Sequence, residues 1–395
     1  MPTIAALTTR APSPSLSLPL PAKWAPPQSR YTSSSAVSPA FVGLMVATHA
    51  RNSVSVQLDE SLDYFVGQGG SGLIGFQDRL GVSVVLGDPL CAPRESRQLV
   101  MDFLASRPRA RSRALFASAS AELTACAAEL GCSALKVGEE AVFDLDRYSF
   151  DGGSMKRLRH HEGRARRNGV EVVNIPSSDM PSHPLAERVD GLIAAWLSAH
   201  AIGPLGFLLA LRSLHEPGKV GKRVFVAQLE GEPIALLTAV PLPAANGVYL
   251  EDYVRGPEVP DGTAEVLFHE ACNDLRARGY GYVSLGTAPL AGLSPDRTRE
   301  HRLARWALRT TFDRVSWPYD FKSLRAFKAR FHPTRWVPKY LVYERPFTLR
   351  SATALALAYL PLTDLCSRTT GLRRSGRGLH HPAGRRSHDV TTSPC

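Results

Sequence analysis

The chain has 395 residues, of which 44% are hydrophobic, and its formal net charge is +11 at pH 7. This length and apolar content allow two ordinary domains with cores of their own, which excludes a fully disordered protein. The six cysteines form no Cys-x-x-Cys pair and no histidine accompanies them at zinc-ligand spacing. Neither a metal site nor a disulfide framework is therefore indicated.

The positive charge is concentrated at the two ends of the chain. Residues 1–58 contain four basic side chains and no acid, and residues 367–395 contain six arginines against Asp389. The body between them is close to neutral, so the ends indicate a phosphate-rich partner more strongly than the body does. Solvated, disordered tails are the alternative interpretation.

Residues 1–39 are rich in serine and proline and contain no acid. Such a segment cannot bury enough apolar surface to order itself, so we predict that it is disordered. An organelle transit peptide is the alternative, although the prolines would interrupt its amphipathic helix. The longest apolar runs, 40–46 and 352–362, are shorter than the roughly 20 residues that a membrane-spanning helix needs, so no span is predicted.

From residue 40 onward, short apolar strands alternate with helical segments, which is typical of an α/β architecture. The first run consists of a hairpin of 72–77 and 82–87, a helix over 93–106, a strand at 114–117, a helix over 121–130 and a strand at 134–145. The second run consists of a hairpin of 223–229 and 233–240, a strand at 247–255, a helix over 263–278, a strand at 282–285 and a last strand at 339–344. The same order of elements occurs twice, which predicts two similar units.

A strongly basic segment connects the two runs. Its pattern predicts a helix over residues 154–168, with Ser154 as the N-cap and Gly169 just past the end. Six cations accompany a single acid, Glu162, so the charged faces of this helix cannot pack in a core. They face either water or phosphate, and the sequence favours neither.

Asp252 and Arg255 lie three residues apart where an apolar strand gives way to a loop rich in glycine and proline. Functional side chains are common at such strand ends. A carboxylate there could hold an ammonium group or orient a hydroxyl, and an arginine could bind phosphate through its planar guanidinium group. An ordinary salt bridge at the end of the strand is the alternative.

Two later segments are candidates for the same cleft. Lys328 and Arg330 accompany a helical stripe of phenylalanine and leucine over residues 321–331 that buries one face, so the cations point elsewhere. Gly286 and Thr287 follow an apolar strand, at the edge where α/β sheets form ligand crevices. Phosphate binding competes with plain solvation for these cations. Neither a G-x-S-x-G elbow nor a P-loop is present, which leaves a serine hydrolase of that type and a nucleoside triphosphatase unsupported.

Several sequence blocks, in order from about residue 84 to residue 343, resemble the cytosolic C-terminal domain of bacterial phosphatidylglycerol lysyltransferases. They are V-V-L-G-D-P, K-V-G-E-E-A-V-F-D-L, L-R-H-H-E-G-R-A-R-R-N-G, D-Y-V-R, L-G-T-A-P-L, and F-K-A-R-F-H-P-T-R-W with K-Y-L-V-Y. The resemblance implies an α/β fold of two tandem GNAT-like acyltransferase modules with mixed sheets, flanked by disordered tails. The expected domains are a tail at 1–39, a first module at 40–150, a second module with the basic helix at 151–348, a short apolar helix at 349–366 and an Arg-rich tail at 367–395.

The resemblance also implies an activity. The family moves an aminoacyl group from charged transfer RNA to the glycerol hydroxyl of phosphatidylglycerol, without coenzyme A or a metal, so no cofactor is expected. Asp252, Arg255 and Lys328 match its catalytic residues. Asp252 is assigned to the amino group or the attacking hydroxyl, and the two cations to phosphates or the developing oxyanion. The expected substrate-binding residues are Glu251, Gly286, Thr287, Arg330, Arg159 and Arg164.

The sequence departs from the family pattern in three places. Full-length relatives carry a membrane flippase region ahead of this domain, whereas only a short segment is expected here. We therefore expect a cytoplasmic protein, peripheral at anionic membrane through its basic tail or an apolar helix over 352–360, or one that uses a separate membrane-protein partner. Ala194 and Ala195 stand where many relatives have a polar pair, and F-L-L-A at 207–210 replaces F-S-L-G. The transferred amino acid is therefore left open.

Two other functions remain open at this point. The first is acyl-coenzyme A transfer on the same fold, although residues 259–264 keep the glycine and alanine of the pyrophosphate-binding loop without its cation. The second is a catalytically inert module that binds RNA or anionic membrane through residues 154–168 and the Arg-rich tail.

Overall fold

The computed structural model describes residues 30–32, 37–58, 62–107, 113–200, 221–289, 306 and 321–359. Over these residues the chain has a mixed α/β fold in which thirteen strands form one mixed sheet. The strands are β1 Arg30–Thr32, β2 Asp63–Val66, β3 Gly72–Arg79, β4 Val82–Leu86, β5 Leu90–Cys91, β6 Arg113–Ala119, β7 Cys132–Asp144, β8 Glu171–Pro176, β9 Arg223–Leu229, β10 Glu232–Leu242, β11 Gly247–Arg255, β12 Tyr282–Pro289 and β13 Arg335–Glu344.

Eight helices of the described residues pack against this sheet. They are α1 Pro39–His49, α2 Ser96–Ser106, α3 Ala121–Glu129, α4 Lys156–Arg167, α5 Ala186–His200, α6 Thr263–Ala277, α7 Phe321–Ala329 and α8 Leu349–Tyr359. Serine caps begin two of them: Phe41 N donates to Ser38 Oγ at the start of α1, and Leu123 N donates to Ser120 Oγ at the start of α3. These hydrogen bonds satisfy main-chain donors that have no partner inside the helix.

Both predicted hairpins are confirmed. β3 and β4 are joined through Leu80 and Gly81, and β9 and β10 are joined through Glu230 and Gly231. All four residues have a positive φ, between 52° and 82°. Two consecutive residues in this region form the tight turn whose twist matches that of the flanking strands.

The basic helix begins later than predicted. α4 starts at Lys156, and Met155 rather than Ser154 occupies the N-cap position, without a side-chain hydrogen bond to the helix. Its predicted end is confirmed, because Gly169 follows it with a φ of 87°. The sequence did not identify α1, α5, β1, β2 or β8. β1 lies within the segment predicted to be disordered, and it pairs with β2.

The two runs of the sequence are interleaved in the sheet. The spatial order of the strands is β1-β2-β3-β4-β6-β13-β7-β12-β11-β10-β9-β8, with β5 paired to β3 beside this path. The last strand, β13, therefore lies between β6 and β7, and β7 pairs on its other edge with β12. β4 runs parallel to β6 and β11 runs parallel to β12. Strands from both runs thus meet at the centre of the sheet.

The C-terminal helix α8 packs on the sheet. Ala354, Leu355 and Ala358 are buried in the same core cluster as Leu73 of β3 and Val84 of β4. The expectation that residues 352–360 lie on a membrane is wrong for the described part of the helix, because its apolar face is in the protein core. Within the described ranges, no helix is both long enough and apolar enough to cross a bilayer.

Candidate active site between two diverging strands

β11 and β12 are paired only where they begin. Residues 247–249 of β11 pair with residues 282–284 of β12, but the two strands continue to Arg255 and Pro289. Beyond the paired stretch their main chains no longer bond to each other, so they diverge. We call the space between the diverging parts the strand opening.

Helix α7 connects the two edges of the strand opening. The ring of Phe327 stacks on the ring of Tyr253 in β11, with centroids 6.0 Å apart. The next residue, Lys328, donates from Nζ to the carbonyl oxygens of Gly286 (3.0 Å) and Thr287 (2.7 Å) in β12. The predicted helical stripe of aromatic residues is therefore confirmed as a packing face. The expectation that the cations of this helix point away from the core is wrong for Lys328, which is buried and bonds to the sheet.

Lys328 is a buried amine with an altered proton affinity. Its side chain is 5% exposed. Burial lowers the pKa of Lys328 to about 7, and the negative charge of Glu140 opposes this effect. The amine is therefore close to half-charged at neutral pH. Two of its N–H groups are occupied, so one position remains, which is an N–H in the ammonium form and a lone pair in the neutral form.

A bulge in β12 turns two successive carbonyl groups toward one amine. Between Ser284 and Thr287, β12 contains one residue more than β7, its partner strand. Gly286 in this bulge has a φ of 72°, and a Cβ there would lie 2.7 Å from the ring of Tyr249. Both the backbone conformation and the close ring require glycine at this position.

The other side of the strand opening carries two neighbouring acids. Asp252 is 9% exposed, its N–H donates to Thr238 Oγ1 (3.1 Å), and this hydroxyl lies 3.3 Å from Asp252 Oδ2. Glu251 forms an ion pair with Lys222 at 3.2 Å, and both side chains are buried. A register shift between β10 and β11 sets both acids opposite Thr238. Buried carboxylates of this kind can hold an ammonium group.

Tyr249 lies between the two sides. Its ring lies against Gly286 of β12. Burial raises the pKa of Tyr249 well above its usual value, and the charges of Glu251, Asp252 and Glu140 add to that effect. These three acids therefore act on the same phenol, so Asp252 on β11 and the carbonyl pair on β12 flank one side chain.

Arg255 and Arg330 lie near each other at the exposed end of the strand opening. Burial raises the pKa of Tyr253 to about 12, and the positive charges of Arg255 and Arg330 oppose that increase. Arg330 also stacks over the ring of Phe327 (4.6 Å to the centroid) and pairs with Glu265 at 3.5 Å. Arg255 is exposed at the end of β11. The two arginines thus lie at the rim of the strand opening.

Two charged residues that the sequence analysis did not select lie beneath this site. Glu140 of β7 and Lys339 of β13 form an ion pair of 2.7 Å, with both side chains almost fully buried. The sequence carries only a weak signal for them, because β7 and β13 contain other charged residues as well. Only the structure shows that they partner each other.

The chain matches the family described as "Phosphatidylglycerol lysyltransferase, C-terminal" over residues 50–343. It belongs to this family. The lysylphosphatidylglycerol biosynthesis bifunctional protein LysX of Mycolicibacterium vanbaalenii is 28% identical over 283 residues, which covers 70% of this chain and 25% of that protein. LysX of Mycobacterium avium is 27% identical over 302 residues, which covers 72% of this chain and 25% of that protein. The chain thus spans about a quarter of these curated relatives.

Two solved structures share the fold. The C-terminal domain of a putative lysylphosphatidylglycerol synthetase from Agrobacterium fabrum has a TM-score of 0.67 at 24% identity, covering 80% of this chain and 94% of that chain. L-PGS from Bacillus licheniformis has a TM-score of 0.67 at 20% identity, covering 82% and 98%. The family expected from the sequence is confirmed, and the fold is that of lysylphosphatidylglycerol synthase structures.

In this member of the phosphatidylglycerol lysyltransferase family, the two arginines selected on the basic helix α4 contact the protein itself. Arg159 donates to the carbonyl oxygens of Phe150 and Gly152, beside a cavity of about 270 Å³ between α4 and α6. Arg164 lies 3.4 Å from Asp261. Neither residue contacts the strand opening among the described residues.

A different set of basic side chains on α4 is exposed. Lys156, His160 and Arg167 follow one another at helical spacing on the face opposite the buried Leu158 and Ala165. Arg157 lies beside this row. We call these four residues the basic row. Among the described residues, none of its lysine and arginine side chains has an acidic partner.

The start of helix α6 is covered by α4 in this phosphatidylglycerol lysyltransferase family member. Gly262 caps α6 with a φ of 97°, and a Cβ there would lie 2.0 Å from the main-chain oxygen of His161. A carbonyl oxygen at this point repels anions. The helix N-terminus therefore does not present an open anion site, in contrast to the arrangement that a pyrophosphate would need.

Of the two local departures from the family pattern, the structure describes the alanine pair only. Ala194 and Ala195 lie on α5 and are exposed. The segment 207–210 lies outside the described residues. Within the described ranges, no group of three or more histidine, cysteine or acidic side chains is arranged to hold a metal ion.

Proposed function

We propose that this chain moves an aminoacyl group from a charged transfer RNA to a hydroxyl of phosphatidylglycerol or a similar lipid. The observation that carries the proposal is the buried Lys328, with a pKa near neutrality, across Tyr249 from the buried acids Glu251 and Asp252. Membership of the phosphatidylglycerol lysyltransferase family supports the same reaction.

The proposed reaction is an ester exchange. The acceptor hydroxyl oxygen forms a bond to the acyl carbon, and the bond from that carbon to the ribose oxygen of the transfer RNA breaks. The hydroxyl proton leaves the acceptor and ends on that ribose oxygen. Because the acyl group is already activated as an ester, positioning and proton transfer can supply most of the rate enhancement.

Lys328 is proposed to carry the proton. With two N–H groups held by carbonyl oxygens, the neutral amine aims its lone pair at the remaining position, where it can accept the hydroxyl proton. The resulting ammonium then donates to the leaving ribose oxygen. A pKa near the working pH suits both steps. Of the two roles expected from the sequence, phosphates or the developing oxyanion, this role replaces the phosphate contact, because a buried amine bonded to two carbonyl groups is poorly placed to hold a phosphate.

Asp252 and Glu251 are proposed to hold the amino group of the transferred amino acid. An α-ammonium carries positive charge, and neighbouring buried carboxylates favour it strongly. Asp252 is assigned the direct contact because it matches the family's catalytic aspartate, and Glu251, which pairs with Lys222, lies beside it. Every amino acid has this α-ammonium group, so the identity of the transferred amino acid is set by other residues.

Arg255 and Arg330 are proposed to hold phosphates at the rim, and Gly286 with Thr287 to line the acyl position. Arg330 is stacked on Phe327, which orients its guanidinium group. Thr287 Oγ1 is buried and has no hydrogen-bond partner among the described residues, so its hydroxyl is available to a substrate oxygen.

The RNA strand is proposed to bind the basic row of α4. Arg159 and Arg164, expected to bind substrate, remain part of the proposal as residues that hold the helix and its preceding loop in place. Lys156, Arg157 and Arg167 are the cations free to meet phosphates. No large exposed apolar side chain of the described residues lies on α4, which favours RNA over a membrane as its partner.

Two tandem GNAT-like modules, at 40–150 and 151–348, are proposed as the basis of the fold. The parallel pairs β4 with β6 and β11 with β12 occupy equivalent places in the two runs, which supports a duplication.

We also propose a cytoplasmic protein that meets anionic membrane at its periphery, through its Arg-rich tail or a separate membrane-protein partner.

The two alternatives are less well supported. Acyl-coenzyme A transfer requires room for a pyrophosphate at the start of α6, and the His161 carbonyl oxygen lies against that point. A catalytically inert RNA-binding module would explain the basic row. It would leave no reason for a buried lysine with a pKa near 7 on one side of the strand opening and two buried acids on the other.

The test is a transfer assay. Purified protein is mixed with phosphatidylglycerol vesicles and transfer RNAs charged with labelled amino acids, and label in the organic extract is measured. We expect label in the lipid with the wild-type chain and a loss of about a hundredfold or more with Lys328→Met. RNA binding without lipid labelling would favour the inert module, and labelling that requires acyl-coenzyme A instead of charged RNA would favour the other enzyme.

A further inference from the structure

A buried chain of hydrogen bonds runs from the first run of strands to Lys328. Glu140 and Lys339 form its central ion pair at 2.7 Å, with side chains 7% and 5% exposed. Lys339 Nζ also donates to Asn52 Oδ1 (3.1 Å), and Asn52 Nδ2 donates to Asp88 Oδ2 (3.0 Å). Two charges removed from water in this way are costly unless other hydrogen bonds support them, and here Asn52 bonds to Lys339 and Ser284 bonds to Glu140.

The same chain continues toward the strand opening. Ser284 Oγ donates to Glu140 Oε1 and accepts from Gly286 N–H at 2.9 Å. The carbonyl oxygen of Gly286 then accepts from Lys328 Nζ at 3.0 Å. Glu140 is thus connected to the amine of Lys328 through one serine and one peptide group.

This connection passes through the bulge that aims Lys328. In a regular strand, successive carbonyl groups point to opposite sides, so one amine cannot bond to two of them. The left-handed conformation of Gly286 turns its carbonyl group and that of Thr287 to the same amine. Ser284 holds the N–H of Gly286, and Glu140 holds Ser284, so the acid maintains the bulge.

We propose that Glu140, held by Lys339, positions Lys328 for the reaction by maintaining the bulge at Ser284 and Gly286. The inference rests on the proposed function of Lys328 as the group that moves the proton. Glu140 does not touch the substrate in this account; it acts through Ser284 and the main chain.

Glu140 has a second effect on the same amine. Burial lowers the pKa of Lys328, and the charge of Glu140 is the cause that opposes this shift. Without the acid, Lys328 would lose its proton at a lower pH. This charge acts through space whether or not Glu140 maintains the bulge, so the titration of Lys328 reports the electrostatic effect and kcat reports the positioning.

The test compares two double variants that each neutralise a buried ion pair on β13. Glu140→Gln with Lys339→Met keeps an oxygen acceptor for Ser284 and leaves no buried charge alone. Arg107→Met with Glu344→Gln is the matched control. Arg107 and Glu344 form a partly buried ion pair with an N–O distance of 2.5 Å, and this pair does not contact Lys328. Lysine labelled with ¹³C at Cε reports each titration by NMR, and Lys328→Met assigns the signal.

We expect the titration midpoint of Lys328 to move to lower pH in the Glu140 variant and to stay in place in the control. We also expect kcat for lipid labelling to fall by about tenfold to a hundredfold, because the amine is misplaced. A wild-type kcat in the Glu140 variant would overturn the inference, and an unchanged midpoint would show that the charge of Glu140 does not act on Lys328.

Ser284→Ala provides a second test that keeps both charges. It breaks the connection between Glu140 and Gly286, so kcat should fall while the KM for lipid stays near the wild-type value. A wild-type kcat would refute the positioning role. If the wild-type chain transfers no label at all, the proposed function fails, while the NMR midpoints still report whether Glu140 acts on Lys328.

Discussion

At the scale of single residues, the site depends on groups that ordinary packing would disfavour. A lysine is buried with a pKa near 7, two acids are buried side by side, and a glycine takes a left-handed conformation in the middle of a strand. Each feature lowers stability taken alone. Their concentration around Tyr249 is typical of a functional site, where strain and altered proton affinity are retained.

The pH dependence of stability should report the buried Lys328. Its folded pKa of about 7 lies below its usual value of 10.5, so between these values the unfolded chain binds a proton that the folded chain does not. Stability therefore rises with pH in this range, by up to about 1.4 kcal/mol per pH unit. Urea unfolding from pH 7 to 8 measures it, below the range where thiols with a raised pKa, such as that of Cys132, oppose the trend. Lys328→Met should remove this part of the slope, and an identical slope in the variant would contradict the lowered pKa.

Gly286 should be intolerant of any side chain. Gly286→Ala combines a left-handed backbone with a Cβ 2.7 Å from the ring of Tyr249, whereas Gly231→Ala has a similar φ of 82° and open space around it. We expect the control to cost about 1 kcal/mol and Gly286→Ala to cost about 1 to 3 kcal/mol more, with loss of transfer activity. Thermal or urea unfolding measures both variants. Equal costs would mean that the ring does not constrain the bulge.

At the scale of elements, helix α4 divides its cations between two tasks. Arg159, Arg164 and Arg166 bond to the protein, whereas the basic row faces outward. Lys156→Ala with Arg167→Ala should weaken binding of transfer RNA about tenfold and reduce its salt dependence by about 1 to 2 units of log–log slope. Arg94→Ala with Arg97→Ala removes the same charge from exposed positions near α2 and should change little. Equal losses in both pairs, measured by filter binding across salt concentrations, would indicate a general charge effect.

The elements also show how far the sequence could be followed. Both hairpins were predictable, because Gly81 and Gly231 occupy tight turns between apolar runs, and so were α6, β11 and β12. Asp252 and Lys328 could be selected by family resemblance. The bulge at Gly286 could not, because it depends on the register between β12 and β7. Ser154 was selected as the N-cap from local chemistry alone. In the structure the N-cap is one residue later, at Met155, and its side chain makes no capping hydrogen bond.

At the scale of the whole molecule, the two runs of the chain complete each other's sheet. β13 fills the place between β6 and β7, and β7 reaches β12, so neither run has a closed set of strand partners of its own. The Glu140–Lys339 pair and the Arg107–Glu344 pair both fasten β13 to strands or loops of the first run. Sequence patterns predict where strands occur, but they do not predict which distant strand each one pairs with.

Unfolding should therefore be cooperative over the whole described body. We expect urea transitions followed by tryptophan fluorescence and by far-ultraviolet circular dichroism to coincide. Truncation after residue 334, which removes β13, should abolish the transition, because β6 and β7 would both lose their shared partner. Two separate transitions in the intact chain, or a folded first run without β13, would contradict the interleaved arrangement.

The claim on which the account depends most is that Asp252 and Lys328 serve one reaction from the two sides of the strand opening. Lipid labelling rates for the wild type, Asp252→Asn, Lys328→Met and the double variant test it directly. We predict that each single variant loses about a hundredfold or more and that the double variant loses far less than the product of the two, since groups that act as a unit are not additive. Full activity in either single variant, or losses that simply multiply, would contradict the account.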